Sequence, residues 1–377
     1  MKVPLLNTNA QNLPLEGELT EAFRRVLHSG YFILGSEVDA FERELAAFLE
    51  TNHNHAIHAI SLSSGTDALV AAMMAFGIGA GDEVLCPSFT FFATAGSVAR
   101  LGARPVFVDS CLSSCNIDAQ DAARKITSKT RAIIPVHLFG QAADMDAVSA
   151  LAKAHQLFVI EDAAQSFGAT WRGQQTGTLG DIGIYSFFPS KNLGGFGDGG
   201  AAVTSNPALA EKLRMLRNHG MQPKYHHSIV GGNFRLDALQ AALLRVKLRH
   251  VASYSEKRRQ LASYYTEALA RLKDIGKNIL LPTEHADGSS IWNQYTVRVL
   301  HGKRDALKAL LTEQGIGCEV YYPIPLHQQK CFAYLPASEC PGAERLAQEV
   351  LSLPLWPEMT RAMIDDVVSN IALWLKN

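Results

Sequence analysis

Short apolar runs alternate with helix-forming segments through the first half of the chain. The apolar runs that predict strands lie at 59–62, 83–86, 105–109, 132–136 and 157–161. The segments between them that predict helices are 66–76, the residues leading to Arg100, and 144–155. Strands that are apolar on both faces are typical of a parallel sheet with helices on each side. We therefore expect an α/β fold whose ligands gather beyond the carboxyl ends of these strands.

The pattern changes in the second half. Two apolar runs, 182–187 and 200–204, predict adjacent strands around a glycine-rich loop. The elements expected after this loop are helices at 236–247, 252–272, 304–314, 342–351 and 360–375, and strands at 295–299 and 318–322. We therefore predict a large domain over 1–250, built on the mostly parallel central sheet, and a smaller α+β domain over 251–377.

Composition narrows the class of protein. The 377 residues include 35 Lys and Arg against 36 Asp and Glu, so no excess of basic residues points to nucleic acid or to an anionic membrane surface. The first residues lack the apolar run of a secretory signal, and no apolar run approaches the ~20 residues that cross a bilayer. The six cysteines are scattered through the chain, unlike those of a small disulfide scaffold. A cytoplasmic protein with reduced cysteines is expected.

Two residues suggest an aldehyde cofactor. Lys191 lies in a glycine-rich segment, 186–200, and Asp162 follows the apolar run 157–161. A lysine can form a Schiff base with an aldehyde, and a buried carboxylate can pair with a protonated ring nitrogen and raise the pKa of that nitrogen. Each residue also has an ordinary interpretation, Lys191 as a solvated loop residue and Asp162 as the N-cap of a following helix.

The turn Ser-Ser-Gly-Thr at 63–66 adds a possible phosphate site. It precedes a predicted helix, and the free backbone amides at the start of a helix bind anions. The turn matches neither the nucleotide P-loop nor the dinucleotide-binding glycine pattern, and serine and threonine also cap helices that bind nothing. Together with Lys191 and Asp162, the turn favours a cofactor site over the ordinary interpretations of these residues.

Several motifs occur in a fixed order along the chain. They are GTDAL at 65–69, PSFTF at 87–91, EDAAQS at 161–166, GD at 180–181, SFFPSKNLG at 186–194, GNFRLD at 232–237, YYPIPLH at 321–327 and LPL at 353–355. This ordered set resembles the nucleotide-sugar aminotransferases of the DegT/DnrJ/StrS type over nearly the whole chain. The resemblance implies the aspartate-aminotransferase-like fold (PLP fold type I), pyridoxal 5′-phosphate (PLP) as cofactor, and a homodimer with two active sites at the subunit interface.

The resemblance also implies roles for the residues nearest the cofactor ring. Lys191 would carry the Schiff base and, once displaced, would move a proton between substrate and cofactor. Asp162 would pair with the ring nitrogen, and Gln165 would lie near the phenolic oxygen. Phe91 would stack on the ring, with Phe89 as the alternative because both share the parity of a strand. Core packing is the more frequent fate of such phenylalanines.

A second group of residues would hold the phosphate and the amino donor. The resemblance implies that the amides of Gly65 and Thr66 and the hydroxyl of Ser186 bind the phosphate. Asn233 of the other subunit would complete that site. Arg235 would meet the carboxylate of the donor, because a guanidinium can bind a planar carboxylate through two hydrogen bonds. Its ordinary interpretation is a surface charge.

The reaction implied by the resemblance moves an amino group from L-glutamate to a keto-sugar linked to dTDP or UDP. Relatives that dehydrate sugars carry histidine where this chain has Lys191, so transamination is favoured over deoxygenation. The segment 321–327 resembles that of enzymes that aminate C3 of a keto-hexose, which favours C3 over C4. A keto-cyclitol or a small keto acid is an alternative substrate, and a PLP-bound regulator without turnover is an alternative function.

Contacts to the sugar are expected from both subunits. The residues concerned are Tyr322 and His327 in one subunit and Tyr225, His226 and His227 in the other. Tyr321 is histidine in many relatives, so contacts at that position do not transfer directly.

One histidine cluster has the spacing of a metal site. His53, His55 and His58 lie close together in the sequence, but no acid is fixed on the same face. A surface or core role is favoured over a ligand role, and no metal is expected.

Overall fold

Helices and strands alternate along residues 2–50 and 56–376, the part of the chain that the computed structural model describes. The helices are α1 Thr8–Asn12, α2 Glu16–Ser29, α3 Ser36–Leu49, α4 Gly65–Ala75, α5 Ala93–Arg100, α6 Ala119–Lys125, α7 Met145–His155, α8 Pro207–Arg217, α9 Ala238–Leu248, α10 Val251–Ala270, α11 Ile275–Asn278, α12 Arg304–Glu313, α13 Pro341–Glu349 and α14 Arg361–Trp374. The strands are β1 His58–Leu62, β2 Glu83–Pro87, β3 Arg104–Val108, β4 Thr130–Ile133, β5 Phe158–Asp162, β6 Thr170–Trp171, β7 Gln174–Gln175, β8 Ile182–Ser186, β9 Gly200–Thr204, β10 Ile279–Leu280, β11 Gly288–Ser289, β12 Tyr295–Val299 and β13 Val350–Leu353.

A seven-stranded sheet forms the centre of the molecule, in the order β1-β9-β8-β5-β4-β2-β3. Its strands pair in parallel from β8 to β3, whereas β9 runs antiparallel to both of its neighbours. Every residue of β2 and β9 is buried, as expected for a sheet covered on both faces. The mostly parallel sheet and the adjacent strands on either side of the Lys191 loop are therefore confirmed.

The C-terminal part adds a small antiparallel sheet, in the order β10-β12-β13. One hydrophobic cluster extends from Ile60 and Val84 of the central sheet through Tyr295 to Leu346 and Ile364. The core is thus continuous across the join between α9 and α10, near residue 250. A domain boundary at that join remains a prediction.

A side-chain cap joins the two parts at the carboxyl end of β3. The Asp109 carboxylate accepts hydrogen bonds from the backbone amides of Gly342, at 2.9 Å, and Ala343, at 2.8 Å, at the start of α13. These are amides that a helix cannot satisfy itself, and a carboxylate also complements the helix dipole there. A Cβ atom at Gly342 would collide with the carbonyl oxygen of Ser110, so only glycine allows this close approach.

Three local predictions were wrong. Residues 318–322 form no strand, because the segment makes only an isolated bridge from Glu319 to Ser352 and then turns towards the central sheet. The helix predicted at 342–351 ends at Glu349, because Val350 starts β13 and pairs with β12. Finally, β2 ends at Pro87, so strand parity does not apply to the phenylalanines that follow it.

Candidate active site

A cavity of about 470 Å³ lies at the carboxyl ends of the central strands. Separate segments of the chain form its wall, with residues that include Gly65 and Thr66, Thr90 and Phe91, Asp162 and Gln165, Ser186 and Lys191, and Tyr321 and Tyr322. Ligands of parallel α/β sheets bind at this edge. The cavity therefore brings together most of the residues that the sequence predicts to be functional, and we take it as the candidate active site.

Lys191 lies on the tight loop between β8 and β9. Its amide donates to the carbonyl oxygen of Phe188 at 2.8 Å, and the amide of Gly195 donates to that of Phe187 at 2.7 Å. Burial lowers the pKa of the Lys191 ammonium to about 8, although the negative charge of Asp162 opposes this shift. The side chain is therefore neutral more often than an exposed lysine near physiological pH, and the neutral amine is the form that attacks an aldehyde.

Asp162 closes β5 and is 5% exposed. Its Oδ2 atom accepts a hydrogen bond from the hydroxyl of Thr94 at 2.9 Å, and its Oδ1 accepts one from the amide of Ala164 at 3.2 Å. Burial raises the pKa of the Asp162 carboxyl, while these hydrogen bonds and the charge of Lys191 lower it. The residues after it form a turn and not a helix, so Asp162 is not a helix cap. Its position suits a carboxylate that pairs with a cation in the cavity.

Gln165 is held at both ends of its amide. Its Oε1 accepts from the amide of Phe139 at 3.0 Å, and its Nε2 donates to the hydroxyl of Tyr322 at 3.0 Å. Because the Tyr322 oxygen accepts this bond, its own hydrogen can point to a ligand. Burial also raises the pKa of Tyr322, which keeps the hydroxyl protonated and therefore a donor.

The start of α4 has the features of an anion site. The Ser64 hydroxyl accepts from the amide of Asp67 at 3.0 Å and so caps the helix. A Cβ atom at Gly65 would lie only 2.9 Å from the Cβ of Ser186, so the absent side chain lets Ser186 approach the helix start. A helix N-terminus beside a hydroxyl group suits a phosphate, because free amides and the helix dipole both favour negative charge.

Phe91, and not Phe89, borders the cavity. Phe91 is 56% exposed, whereas Phe89 is 1% exposed and packs edge-on against Tyr322, with ring centroids 6.2 Å apart. Between them, Thr90 also borders the cavity, and its buried hydroxyl oxygen has no hydrogen-bond partner among the described residues.

Other predicted binding residues lie on the loop 218–235, outside the cavity wall of their own chain. They are Tyr225, His226, His227, Asn233 and Arg235. The backbone of Asn233 pairs with that of Asn218, and Nη1 of Arg235 donates to Oδ1 of Asn218 at 2.7 Å. The side chains of Tyr225, His226 and His227 are exposed. Within one chain, the structure therefore does not bring these five residues to the cavity.

His327 lies beside the cavity wall, and both of its ring nitrogens are engaged by protein atoms. Nδ1 lies 2.6 Å from Oγ of Ser88, and Nε2 lies 3.1 Å from Oε1 of Glu344. The neighbouring Leu326 amide donates to the carbonyl oxygen of Ser88 at 2.7 Å. His327 thus fastens the segment 321–327 to the loop after β2, which favours a positioning role over a direct contact with the sugar.

A comparison of three variants tests this role of His327. If His327 acts by fastening the segment, Glu344→Ala should raise KM for the keto-sugar that the resemblance implies about fivefold, because one hydrogen bond is lost. His327→Ala should raise it further, because two hydrogen bonds are lost. The double variant should then be little worse than His327→Ala alone, because His327→Ala already breaks the bond to Glu344. Steady-state kinetics would measure this, with wild-type protein as reference. A raised KM in His327→Ala together with an unchanged KM in Glu344→Ala would indicate a direct sugar contact instead.

Metal ligands do not cluster in the part of the chain that the structure describes: no group of three or more His, Cys, Asp or Glu side chains there could hold an ion. His53 and His55 lie outside the described residues. No helix among the described residues has the length and apolar character needed to cross a bilayer.

Comparison with known proteins decides the family. A model described as the DegT/DnrJ/EryC1/StrS aminotransferase family matches residues 14–372. The chain belongs to this family. Aminotransferases of this family use PLP, and the protein is accordingly a PLP-dependent aminotransferase with the type I fold.

Several known proteins are similar to this chain along almost its full length. A pleiotropic regulatory protein from Geobacillus stearothermophilus is 47% identical over 99% of this chain and 98% of its own. A UDP-N-acetyl-3-dehydro-α-D-glucosamine 3-aminotransferase from Acidithiobacillus ferrooxidans is 44% identical, with 98% and 97% covered. Among solved structures, S. venezuelae DesV in complex with a ketimine intermediate superposes with a TM-score of 0.94, at 42% identity, covering 100% of this chain and 99% of that one.

The cavity of the present chain fits PLP. The anion site at the start of α4 suits the phosphate, and Lys191 and Asp162 supply an amine and a carboxylate in the same wall.

Proposed function

We propose that the protein transfers the amino group of L-glutamate to the C3 keto group of a hexose linked to dTDP or UDP. The observation that carries this proposal is the 44% identity, over 98% of the chain, to an enzyme named as a UDP-sugar 3-aminotransferase. The segment 321–327, whose first two residues line the cavity, supports the choice of C3. Lys191, where dehydrating relatives carry histidine, supports amino transfer.

Lys191 and Asp162 carry the chemistry in this proposal. When bound, PLP supplies an electron sink for the carbanion that forms at the substrate carbon. Lys191 would hold the cofactor covalently and, once displaced, its neutral amine would take the proton from the substrate carbon and deliver it to the cofactor carbon. As a carboxylate, Asp162 would pair with the protonated ring nitrogen. Gln165 would lie near the phenolic oxygen, and Phe91 would cover one face of the ring.

The remaining residues bind and orient the ligands. The amides of Gly65 and Thr66 and the hydroxyl of Ser186 hold the phosphate. Tyr322 donates a hydrogen bond to the substrate through the hydrogen that Gln165 leaves free. The positions of these groups around one cavity support the assignment.

A homodimer completes the site in this proposal. Asn233, Arg235 and His227 reach the cavity of the partner subunit, with Arg235 binding the carboxylate of glutamate and Asn233 the phosphate. Large apolar side chains that are exposed on the single chain support an interface, because such patches are rarely left in water. They include Phe23, Leu27, Tyr31, Phe32, Ile33, Phe91, Phe188 and Phe196.

A regulator that binds PLP without turnover is the second candidate. The observation that favours it is the name of the 47% identical relative, a pleiotropic regulatory protein. A sensor needs neither a proton-transferring lysine nor a donor-binding arginine. Lys191, Asp162 and Arg235 are all present, which favours the enzyme.

Visible absorption spectra of the purified protein test the proposal. We expect L-glutamate to convert the absorption band of bound PLP to that of pyridoxamine 5′-phosphate, and a 3-keto sugar nucleotide to reverse the change. The panel should contain 3-keto and 4-keto hexoses linked to dTDP and UDP, a keto-cyclitol and a small keto acid. A PLP band that does not respond to glutamate would favour the regulator or another donor. Exclusive 4-amino product would overturn the choice of C3.

A further inference from the structure

Thr94 approaches Asp162 from a different part of the fold. It lies in the first turn of α5, which follows β2, and the sheet order places β4 between β2 and β5. Its side chain is fully buried, and its Oγ1 lies 2.9 Å from Oδ2 of Asp162. Thr94 lies behind this carboxylate, outside the wall that the described residues form around the cavity. Its hydroxyl therefore acts on Asp162 and does not touch the contents of the cavity.

We propose that Thr94 is a positioning residue for the cofactor, which fixes the Asp162 carboxylate in the orientation and charge state that bind the PLP ring nitrogen. The proposal rests on the role proposed above for Asp162. The hydroxyl of Thr94 and the amide of Ala164 bind different oxygens of the carboxylate, at 2.9 and 3.2 Å. Two donors on two oxygens set the rotation of the carboxyl plane.

A hydroxyl suits this task better than a charged donor. A lysine or arginine at position 94 would neutralise the carboxylate and compete with the ring nitrogen for it. A hydroxyl stabilises the negative charge by one charge-assisted hydrogen bond and leaves the net charge unchanged. The branched Cβ of threonine also restricts its side-chain rotamers, so the donor is aimed before any ligand binds.

Among the groups that lower the pKa of Asp162, Thr94 has the largest influence. Burial raises the pKa of the Asp162 carboxyl, and the hydrogen bond from Thr94 is the strongest influence that lowers it. The amide of Ala164 comes next, followed by the charge of Lys191. The negative charge of this carboxylate also raises the pKa values of two neighbouring groups, Cys86 on β2 and Tyr322. Loss of the Thr94 hydroxyl should therefore raise the pKa of Asp162.

The direction in which PLP binding depends on pH follows from this change in the pKa of Asp162. The ionised carboxylate pairs with the ring nitrogen, so PLP binding weakens as the pH falls through the pKa of Asp162 in the apoprotein. If Thr94→Val raises that pKa, the acidic loss of PLP binding moves to higher pH. A hydrogen bond to a charged group corresponds to a change in affinity of about tenfold to a hundredfold, or about one to two pH units.

The experiment measures PLP binding to the full-length apoprotein between pH 5 and 9, by equilibrium dialysis, in four proteins. They are the wild type, Thr94→Val, Thr94→Ser and Thr204→Val. Thr204 is a matched control, because its buried hydroxyl donates to the carbonyl oxygen of Asp181 at 2.7 Å and does not contact Asp162. Thermal melting of each apoprotein reports any change in folding separately.

We expect Thr94→Val to bind PLP about tenfold to a hundredfold more weakly at neutral pH. Its loss of PLP binding in acid should begin at a higher pH than in the wild type. Thr94→Ser should return most of the affinity, and Thr204→Val should match the wild type. Equal affinity at neutral pH and an equal loss of binding in acid in Thr94→Val would overturn the inference while leaving the proposed function intact. An equal loss in the valine and serine variants, uniform across pH, would mean that Thr94 only packs. A wild-type protein that binds no PLP would overturn the proposed function as well.

Discussion

Replacing Lys191 with alanine is expected to abolish amino transfer. The variant loses the only lysine in the wall of the described cavity, and with it both the covalent link to the cofactor and the group that moves the proton. Proton transfer by a positioned side chain alone contributes about 10² to 10⁴-fold to the rate. We therefore expect turnover with glutamate and the keto-sugar to fall by at least about 10⁴-fold. Product formation followed by chromatography measures the residual rate.

Two controls separate this loss from misfolding. Lys191→Arg retains a positive charge but cannot form a Schiff base, so it should be as inactive as the alanine variant. Both variants should still bind PLP without a covalent bond, because the start of α4 and the Asp162 carboxylate remain in place. Retained turnover that depends on both substrates, in either variant, would contradict the assignment of Lys191.

A second buried lysine provides an internal comparison. Burial lowers the pKa of Lys247 to about 8, as it does that of Lys191, but Lys247 lies against the ring of Phe196 and not in the cavity wall. If a lowered pKa were sufficient, reduction with borohydride would attach the cofactor to both lysines. We expect the label on the peptide that contains Lys191 only. Label on Lys247 at equal yield would show that the cavity does not select the lysine.

The central sheet could be predicted from the sequence because its signal is local. Each strand contains a short, mostly apolar run, and so does each neighbour of the Lys191 loop. The helices α2 and α3 were left out of the prediction, although a local signal exists. In α2 the buried residues are Leu19, Ala22 and Val26, at the spacing of one helix face. Strand β13 was missed because Val350 and Leu351 continue the apolar spacing of α13, and only pairing with β12 decides between helix and strand.

The site was predictable where function depends on residue type and not where it depends on distant contacts. The amine of Lys191 and the acid of Asp162 are recognisable by their chemistry. Thr94 has no such signal, because its contact with Asp162 joins residues 68 positions apart. The hydrogen bond between His327 and Ser88, 239 positions away, likewise has no signal in the sequence. Residues that position other residues therefore required the structure.

Replacing Glu161 with glutamine is expected to destabilise the fold strongly. This fully buried carboxylate accepts four hydrogen bonds. Its Oε1 accepts from the amides of Leu179 and Gly180, each at 2.6 Å. Its Oε2 accepts from the amide of Gly177 at 2.8 Å and from Nε2 of His137 at 2.9 Å. A glutamine amide can accept on its oxygen only, so its nitrogen would face two donors that have lost their acceptor.

The rigidity of this network follows from the tautomer of His137. Its Nδ1 accepts from the amide of Ala143 at 3.0 Å, so its proton lies on Nε2 and is donated to Glu161. The imidazole therefore cannot reverse its role to suit a glutamine nitrogen without losing the Ala143 bond. Since the backbone amide of His137 donates to the carbonyl oxygen of Asp162 at 3.1 Å, the damage extends to the end of β5 and to the candidate active site.

Each buried donor left without an acceptor costs about 1 to 3 kcal/mol, so Glu161→Gln should lower the free energy of unfolding by about 2 to 6 kcal/mol. Urea unfolding of the apoprotein, followed by circular dichroism, measures this change. The matched control is Glu256→Gln on the surface of α10, where the carboxylate lies 3.1 Å from Nε of Arg259 in open solvent. Exposed pairs of this kind contribute little, so the control should unfold like the wild type. Equal stability of the two variants would contradict a structural role for the Glu161 charge, because a carboxylate that accepts four buried donors cannot be replaced by an amide without loss.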